Sequence, residues 1–371
     1  MLNFKYRIFP TEKQQRLLNN NLEECRWLYN HFLEERKNAW TQEKKSINYH
    51  AQAVSIVKLK QERPSLETVH SQVLQNVAIR VDLAFKAFFR RIKAGEKPGY
   101  PRFKGKGYYD SITYPQTGFE IKDNKLKLSK IGSVKFKYHR QLEGKAKTCA
   151  VRRVVTGKWY VSFSCLTETN PLPKSGKAVG IDVGLTTFAT FSDGGKIDNP
   201  RFFRKEEKSL AKAQRKLSKQ NEGTPERKNV RKVVSRIHER IANKRSDFAH
   251  QESRKIVNQY GIVCIEDLSI NQMVHNRCLS KSIMDVSWGF FAQYLSYKAE
   301  NAGRQIVKIN PAYTSQDCSV CGHREAKKLS DRIHSCSCCG FETCRDHNAS
   351  LNILRLGTQS LGFTLEAPSY L

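Results

Sequence analysis

Three carboxylates stand where an acid is not expected. Asp182 lies inside AVGIDVGL, Glu266 closes the apolar run IVCIE, and Asp346 opens the helical stretch DHNASLNILRLG. A lone carboxylate in an apolar strand costs on the order of several kcal/mol unless something pairs with it. Taken singly, an acid at a strand end is often a turn former, and an Asp ahead of a helix is often an N-cap. Taken together, two strands of a mixed sheet and a helix start can bring three acids to one point. They cannot all stay ionised there without cations. Two Mg²⁺ ions (or Mn²⁺) about 3.5–4 Å apart would satisfy them, activate a water and stabilise a leaving 3′ oxygen during in-line attack on a phosphodiester. The order strand-Asp, strand-Glu, helix-Asp fits a ribonuclease-H-like nuclease fold.

A second constellation sits just ahead of Asp346. Cys318-Ser-Val-Cys321-Gly322 is followed 14 residues on by Cys336-Ser-Cys338-Cys339-Gly340. Two C-x-x-C-G turns at this separation predict a zinc ribbon, because thiolates on a tight turn can share one tetrahedral Zn²⁺ and glycine permits the bend. Cys336 and Cys339 keep the C-x-x-C symmetry, with Cys338 as the alternative ligand, and Cys344 is a spare thiol. The other five cysteines (Cys25, Cys149, Cys165, Cys264 and Cys278) are scattered. That usage argues for a reducing cytosol and against disulfides. A ribbon inserted before the last nuclease helix would hand the chain to Asp346; its zinc would hold the insert's fold and need not touch the chemistry.

The elements that must position these residues can be read from periodicity. LNFKYRIF alternates as a half-buried strand. Thr11 with Gln14 makes a capping box, followed by apolar residues at helical spacing. A second helix is expected near residues 49 to 61. A third, after Pro64 and Ser65, carries Val69, Val73, Val77, Val81 and Phe88. GEKPGYPRFKGKGYYDS is a basic, aromatic loop. Short β runs to residue 166 are spaced as in a small antiparallel barrel, which the opening strand would complete. PLPKSGK is a linker. Beyond it come a strand pair around Asp182, two basic helical stretches broken at NEGTPE, the Glu266 strand, a helix at WGFFAQYLSYKAENAG, a strand at QIVKIN and the Asp346 helix. Trp27, Trp40 and Trp159 read as core aromatics.

Charge narrows the partner. The chain of 371 residues holds 65 Lys plus Arg against 35 Asp plus Glu, a formal charge of +30. Residues 201–260 alone hold 18 basic and 7 acidic residues. Such a one-signed field suits a phosphate backbone. No 18-residue apolar run, signal-peptide core or lipidation motif supports a membrane role. The expected setting is the cytoplasm of a bacterium or archaeon, associated with the nucleoid.

GIDVGLTTFAT, VCIEDLS, TSQDCSVCG and CGFETCRDHNASLNIL, in this order, together with YRIFPTEKQQRLLNNNLEECRWLYN and PGYPRFKGK, resemble the transposon-encoded TnpB proteins, compact relatives of type V CRISPR effectors. The resemblance covers nearly the whole chain. It implies an RNA-guided DNA endonuclease that cuts beside a short flanking motif, with a guide RNA from the transposon end and double- and single-stranded DNA as target. Asp182, Glu266 and Asp346 match the family's catalytic carboxylates, and Cys318, Cys321, Cys336 and Cys339 match its zinc ligands. The fold it implies is multidomain, α+β and α/β. A wedge β-barrel would take residues 1–10 and 106–172, a helical recognition domain 11–105, a RuvC-like nuclease domain 173–310 and 346–371, and a zinc-ribbon insert 311–345. Cys344-Arg345-Asp346 stands where the family usually has Asp-Arg-Asp, which leaves a thiol beside the metal centre.

Candidate nucleic-acid contacts are Gln72, Gln75 and Asn76 on the third helix and Ser111 and Thr113 on the strand after the loop. Lys97, Arg102, Lys104 and Lys106, with Tyr100 and Phe103 interleaved, suit backbone-plus-stacking contact with RNA. Rival functions are a guided repressor that does not cut, a transposase performing strand transfer, and an architectural basic protein.

Overall fold

The N-terminal alternation forms a strand, β1 (Leu2–Phe9), with Phe4, Tyr6 and Ile8 buried. The computed structural model describes residues 1–122, 124–168, 171–328 and 331–362. The chain divides into two units, Met1–Glu168 and Thr169–Leu371.

In the first unit, Thr11 and Gln14 close the capping box that starts α1 (Glu12–Glu43). Asn48 caps α2 (Tyr49–Glu62) by accepting from the Ala51 N–H. The third helix starts later than the apolar spacing implies. Pro64–Thr68 is a 3₁₀ turn, Val69 and His70 are extended, and α3 runs Ser71–Lys93. Proline at the first position of the 3₁₀ turn fits, because it needs no N–H there. The six strands that follow are β2 (Ser111–Tyr114), β3 (Phe119–Lys122), β4 (Lys125–Leu128), β5 (Gly132–Phe136), β6 (Lys145–Arg153) and β7 (Trp159–Leu166). With β1 they make an antiparallel sheet of order β2-β6-β7-β1-β5-β4-β3. It is a nearly closed barrel. Near its open seam, the Tyr114 hydroxyl donates to Ser129 O at 3.2 Å. Trp159 is buried in the core and Trp27 packs against it, whereas Trp40 is 58% exposed near the end of α1 and is not a core residue.

The second unit is built on a five-stranded sheet. Its strands are β8 (Ala178–Val183), β9 (Thr187–Phe191), β10 (Lys196–Asp198), β11 (Ile262–Glu266) and β12 (Gln305–Ile309), in the order β10-β9-β8-β11-β12. β8, β11 and β12 are parallel, and β9 and β10 are antiparallel. Between β10 and β11 lie α4 (Phe202–Ser218) and α5 (Pro225–Gln259), whose break at NEGTPE is closed by Arg227 donating to Leu217 O and Gln220 O. Short α6 (Ile270–Met273) and α7 (Ser280–Val286) precede α8 (Trp288–Asn301). A ribbon of β13 (Ile333–Ser335) and β14 (Glu342–Cys344) leads into α9 (Arg345–Ser360).

The pleat of the parallel strands divides their residues between two faces. Val179, Ile181, Val263 and Ile265 join a core with Phe291 and Leu295 of α8. The opposite face takes α9, at unusually short range. A Cβ on Gly180 would sit 2.1 Å from Ser350 O, and one on Gly357 would sit 2.3 Å from Cys264 Sγ. Glycine at both positions is therefore what lets α9 lie down on β8 and β11. Gly180→Ala should destabilise the protein by about 1–3 kcal/mol, the usual cost of overpacking, read from the denaturant midpoint.

Candidate active site and cysteine centre

The close approach of α9 delivers the three acids. Gly180 and Cys264 are paired neighbours on β8 and β11, and both face α9. Two residues on, the pleat returns to the same face, at Asp182 and at Glu266. The strands are parallel and in register, so the two carboxylates sit side by side on adjacent strands. On α9, Ser350 packs over Gly180, and Asp346 lies one turn earlier on the same face. Cys344 occupies the N-cap position and Asp346 falls in the first turn, so Asp346 is not the cap.

The electrostatics record this convergence. Burial, then the like charges of Glu266 and Asp346, push the Asp182 carboxyl up to about 8, against a pull from Arg345. Burial also raises Glu266, opposed by the hydroxyl of Thr314, which donates to its Oε1 at 2.6 Å. Arg345 donates to Asp346 Oδ1 at 3.4 Å.

The cysteines form a tighter group. Among the described residues, Cys318, Cys321, Cys336 and Cys339 are the His, Cys, Asp or Glu set whose ligand atoms all lie within 4.8 Å of one another. Cys318 and Cys339 sulfurs are 3.6 Å apart, and those of Cys321 and Cys336 are 3.5 Å apart. A disulfide would require about 2.05 Å, whereas a tetrahedron of Zn–S bonds about 2.3 Å long has edges of about 3.8 Å. The backbone N–H groups of Cys339 and Cys338 lower the Cys336 thiol, while at Cys339 the pull of the Phe341 N–H is outweighed by burial and the neighbouring sulfurs, which raise it; four thiols this close do not all ionise without a cation. Cys338 and Cys344 lie outside the group with exposed side chains.

Sequence reasoning missed the residues that join the two centres. Asn348 and Asn352, one turn apart on α9, are fully buried. Both donate to Asp317 O, at 2.8 and 2.7 Å. Asn348 also accepts from the Ser319 N–H at 2.9 Å, so it brackets Cys318. Asn352 reaches Thr314 O at 3.0 Å. The two amides of NASLN, four residues apart, were the available signal, because that spacing puts them on one face of a helix.

In the first unit, four of the candidate nucleic-acid residues share hydrogen bonds linking α3 to the barrel. Arg80, unremarked in the sequence, donates to Asn76 Oδ1 at 3.0 Å, Ser111 O at 2.7 Å and Thr113 Oγ1 at 2.8 Å. Gln72 Oε1 accepts from the Thr117 backbone N–H and hydroxyl. Gln75 is exposed on the same helix. In the loop, Lys104 is anchored through its backbone to Asn30 and Arg26 of α1. Tyr100 packs edge-on against Phe85 and Phe88. Lys97, Arg102, Phe103 and Lys106 are exposed.

Comparison with known proteins places this architecture. Family models described as "Probable transposase", "Cas12f1-like, TNB domain" and "Helix-turn-helix domain" match residues 162–277, 288–353 and 1–45. The last of these spans holds only β1 and α1, one strand and one 32-residue helix, so its description does not fit the local structure. A solved chain from "Cryo-EM structure of the Cas12f1-sgRNA-target DNA complex" superposes with a TM-score of 0.58 at 16% identity, covering 92% of this chain and 83% of the other. The fold is thus mixed α/β and Cas12f-like, with a zinc-ribbon-like domain carrying the cysteine cluster. A Streptomyces pristinaespiralis protein named "Putative RNA-guided DNA endonuclease" is 34% identical, over 95% of this chain and 89% of its own length. An Escherichia coli K12 protein named in the same way, InsQ, is 30% identical over 95% and 92%. The chain belongs to the transposon-encoded TnpB family. Among the described residues, no helix is long and apolar enough to cross a membrane.

The raised Asp182 carboxyl has a consequence for stability. Its folded value lies above its unfolded one, so the folded state is favoured below pH about 4 and loses that advantage as pH rises towards about 8. In chelator, Asp182→Asn should raise Tm by about 2 °C or more at pH 8. The gain should shrink to nothing near pH 4, as read by calorimetry of both proteins across that range.

Proposed function

We propose that this protein is an RNA-guided, Mg²⁺-dependent DNA endonuclease of a transposon, cutting target DNA beside a short flanking motif. The observation that carries the reading is the meeting of Asp182, Glu266 and Asp346, where burial and mutual repulsion hold a carboxyl partly protonated. A donor set of hard oxygens that resists full ionisation by itself suits divalent cations. Bound there, a pair of such ions supplies an activated water and stabilises the leaving 3′ oxygen. The chain's own part is to fix the three carboxylates on β8, β11 and α9, to orient Glu266 through the Thr314 hydroxyl, and to place the Arg345 guanidinium beside Asp346 where phosphate charge would gather. The four-cysteine cluster would hold one structural Zn²⁺.

On this reading the five-stranded sheet with α9 is a ribonuclease-H-like, RuvC-type nuclease core. It would take residues 173–310 and 346–371, with a zinc-ribbon insert at 311–345. The barrel, residues 1–10 and 106–172, and the helices of 11–105 would bind guide RNA and read the flanking motif. Arg80 would orient Asn76, Ser111 and Thr113 for that task. Guide pairing would supply sequence specificity. A repressor needs no cation-binding carboxylates, and all three are present here, which favours the nuclease over it.

The test is to express the protein with the DNA flanking its gene and sequence the RNA that co-purifies. The complex is then incubated with Mg²⁺ and a plasmid library with randomised flanks. A discrete RNA and cuts beside one motif are expected. Asp182→Ala and Glu266→Ala should each reduce cutting by about 10³-fold or more while RNA and target binding persist. Target binding without cuts by the unmutated protein would indicate a repressor, and joined rather than hydrolysed ends a transposase. Zinc content measured by mass spectrometry should fall in Cys318→Ser and stay at one per chain in Cys338→Ser.

A further inference from the structure

The cysteine centre and the carboxylate centre are joined by a continuous set of hydrogen bonds made by buried side chains of α9 and by Thr314. Cys318 is fully buried, and the peptide groups on either side of it are both held by α9. The carbonyl before it, Asp317 O, accepts from Asn348 and Asn352, and the N–H after it, of Ser319, donates to Asn348. The Asn352 amide divides itself between Asp317 O and Thr314 O. Thr314, 4% exposed, then donates its hydroxyl to Glu266. Two things follow from the chemistry of these groups. A buried amide with an unmade hydrogen bond costs about 1–3 kcal/mol, so the asparagines resist letting go of the loop. A hydroxyl donating to one carboxylate oxygen fixes which oxygen, and which rotamer, Glu266 offers to a cation.

We infer that the cysteine centre is a positioning device for Glu266. It acts through Asn348, Asn352 and Thr314, so that metal on the four thiolates sets the affinity of the carboxylates for divalent cations. The inference rests on the reading of Asp182, Glu266 and Asp346 as a cation site. Zinc fixes Cys318, Cys318 fixes the 314–319 turn against α9, and the turn aims Thr314. Thr314, Asn348 and Asn352 touch neither substrate nor cation in this scheme; they are positioning residues.

The experiment uses the full chain with its co-purified RNA and titrates Mn²⁺ by electron paramagnetic resonance, with zinc content and Tm measured alongside. Mn²⁺ is chosen because thiolates bind it poorly. Thr314→Val should weaken Mn²⁺ binding by about ten-fold, the scale for losing a ligand's outer hydrogen bond, with zinc content unchanged. Thr314→Ser should restore it. Mild zinc removal should weaken Mn²⁺ binding to a similar extent, and in Thr314→Val it should add little further loss, because both changes cut one pathway. Full additivity, or no response to either change, overturns the coupling. Glu266→Gln separates the two levels. If it weakens Mn²⁺ binding while Thr314→Val does not, the coupling fails and the carboxylate site stands. If Glu266→Gln leaves Mn²⁺ binding untouched, the carboxylate reading itself fails.

Discussion

Repulsion between half-buried carboxylates is the constraint around which the second unit is arranged. Asp182 and Glu266 sit side by side on parallel strands, and Asp346 approaches from α9. Nothing in hydrophobic packing favours this, and a fold free to relax would separate them. The surrounding structure prevents that. Gly180 and Gly357 admit the helix at backbone range, and Ile353 and Leu354 pack it against Cys264, Val307 and Ile309. The energy of that packing holds the acids in an arrangement that is unfavourable until cations or protons arrive. This is how sites commonly spend stability on function.

The same helix serves a second purpose. One face of α9 carries Asp346 and the glycine contact, and the asparagines at 348 and 352 hold the turn that begins the cysteine cluster. Placing the zinc-ribbon-like domain directly before α9 therefore does more than insert a stable knot into the chain. It joins the geometry of the thiolates to that of Glu266 through three buried polar side chains, Asn348, Asn352 and Thr314, each hydrogen-bonded. A network of this kind is rigid when complete and costly when broken, which makes it a suitable carrier of position.

In the first unit the organising group is Arg80. Its guanidinium spans α3 and β2 and holds Asn76, Ser111 and Thr113 in one polar surface. The basic loop beyond α3 is tied down by backbone contacts at Lys104, while Lys97, Arg102 and Lys106 stay exposed. Fixed hydrogen-bonding groups beside exposed charge suit recognition of a polyanion, where the charge attracts and the fixed groups orient.

Local pattern carried much of this protein. The strand at residues 2–9, the Thr11 capping box, the break at NEGTPE and the apolar runs around Asp182 and Glu266 all follow from periodicity and turn chemistry between near neighbours. The two C-x-x-C-G turns are likewise local, because their spacing reflects what one tetrahedral ion requires. Other features were not legible. Trp40 reads as core and is exposed, because burial depends on whether another element covers that turn of α1. α3 begins at Ser71 because Pro64–Thr68 closes as a 3₁₀ turn first. Asn348 and Asn352 are two amides within the Asp346 helix, and Gly180 is a small residue in a strand. Their meaning comes from partners 29 to 38 positions away for the asparagines, or on another element altogether for the glycine. The sequence by itself determined which residues could do chemistry and the elements that carry them. Tertiary structure alone decided which of those residues meet, because register between strands and the depth at which a helix settles depend on contacts that no local pattern encodes.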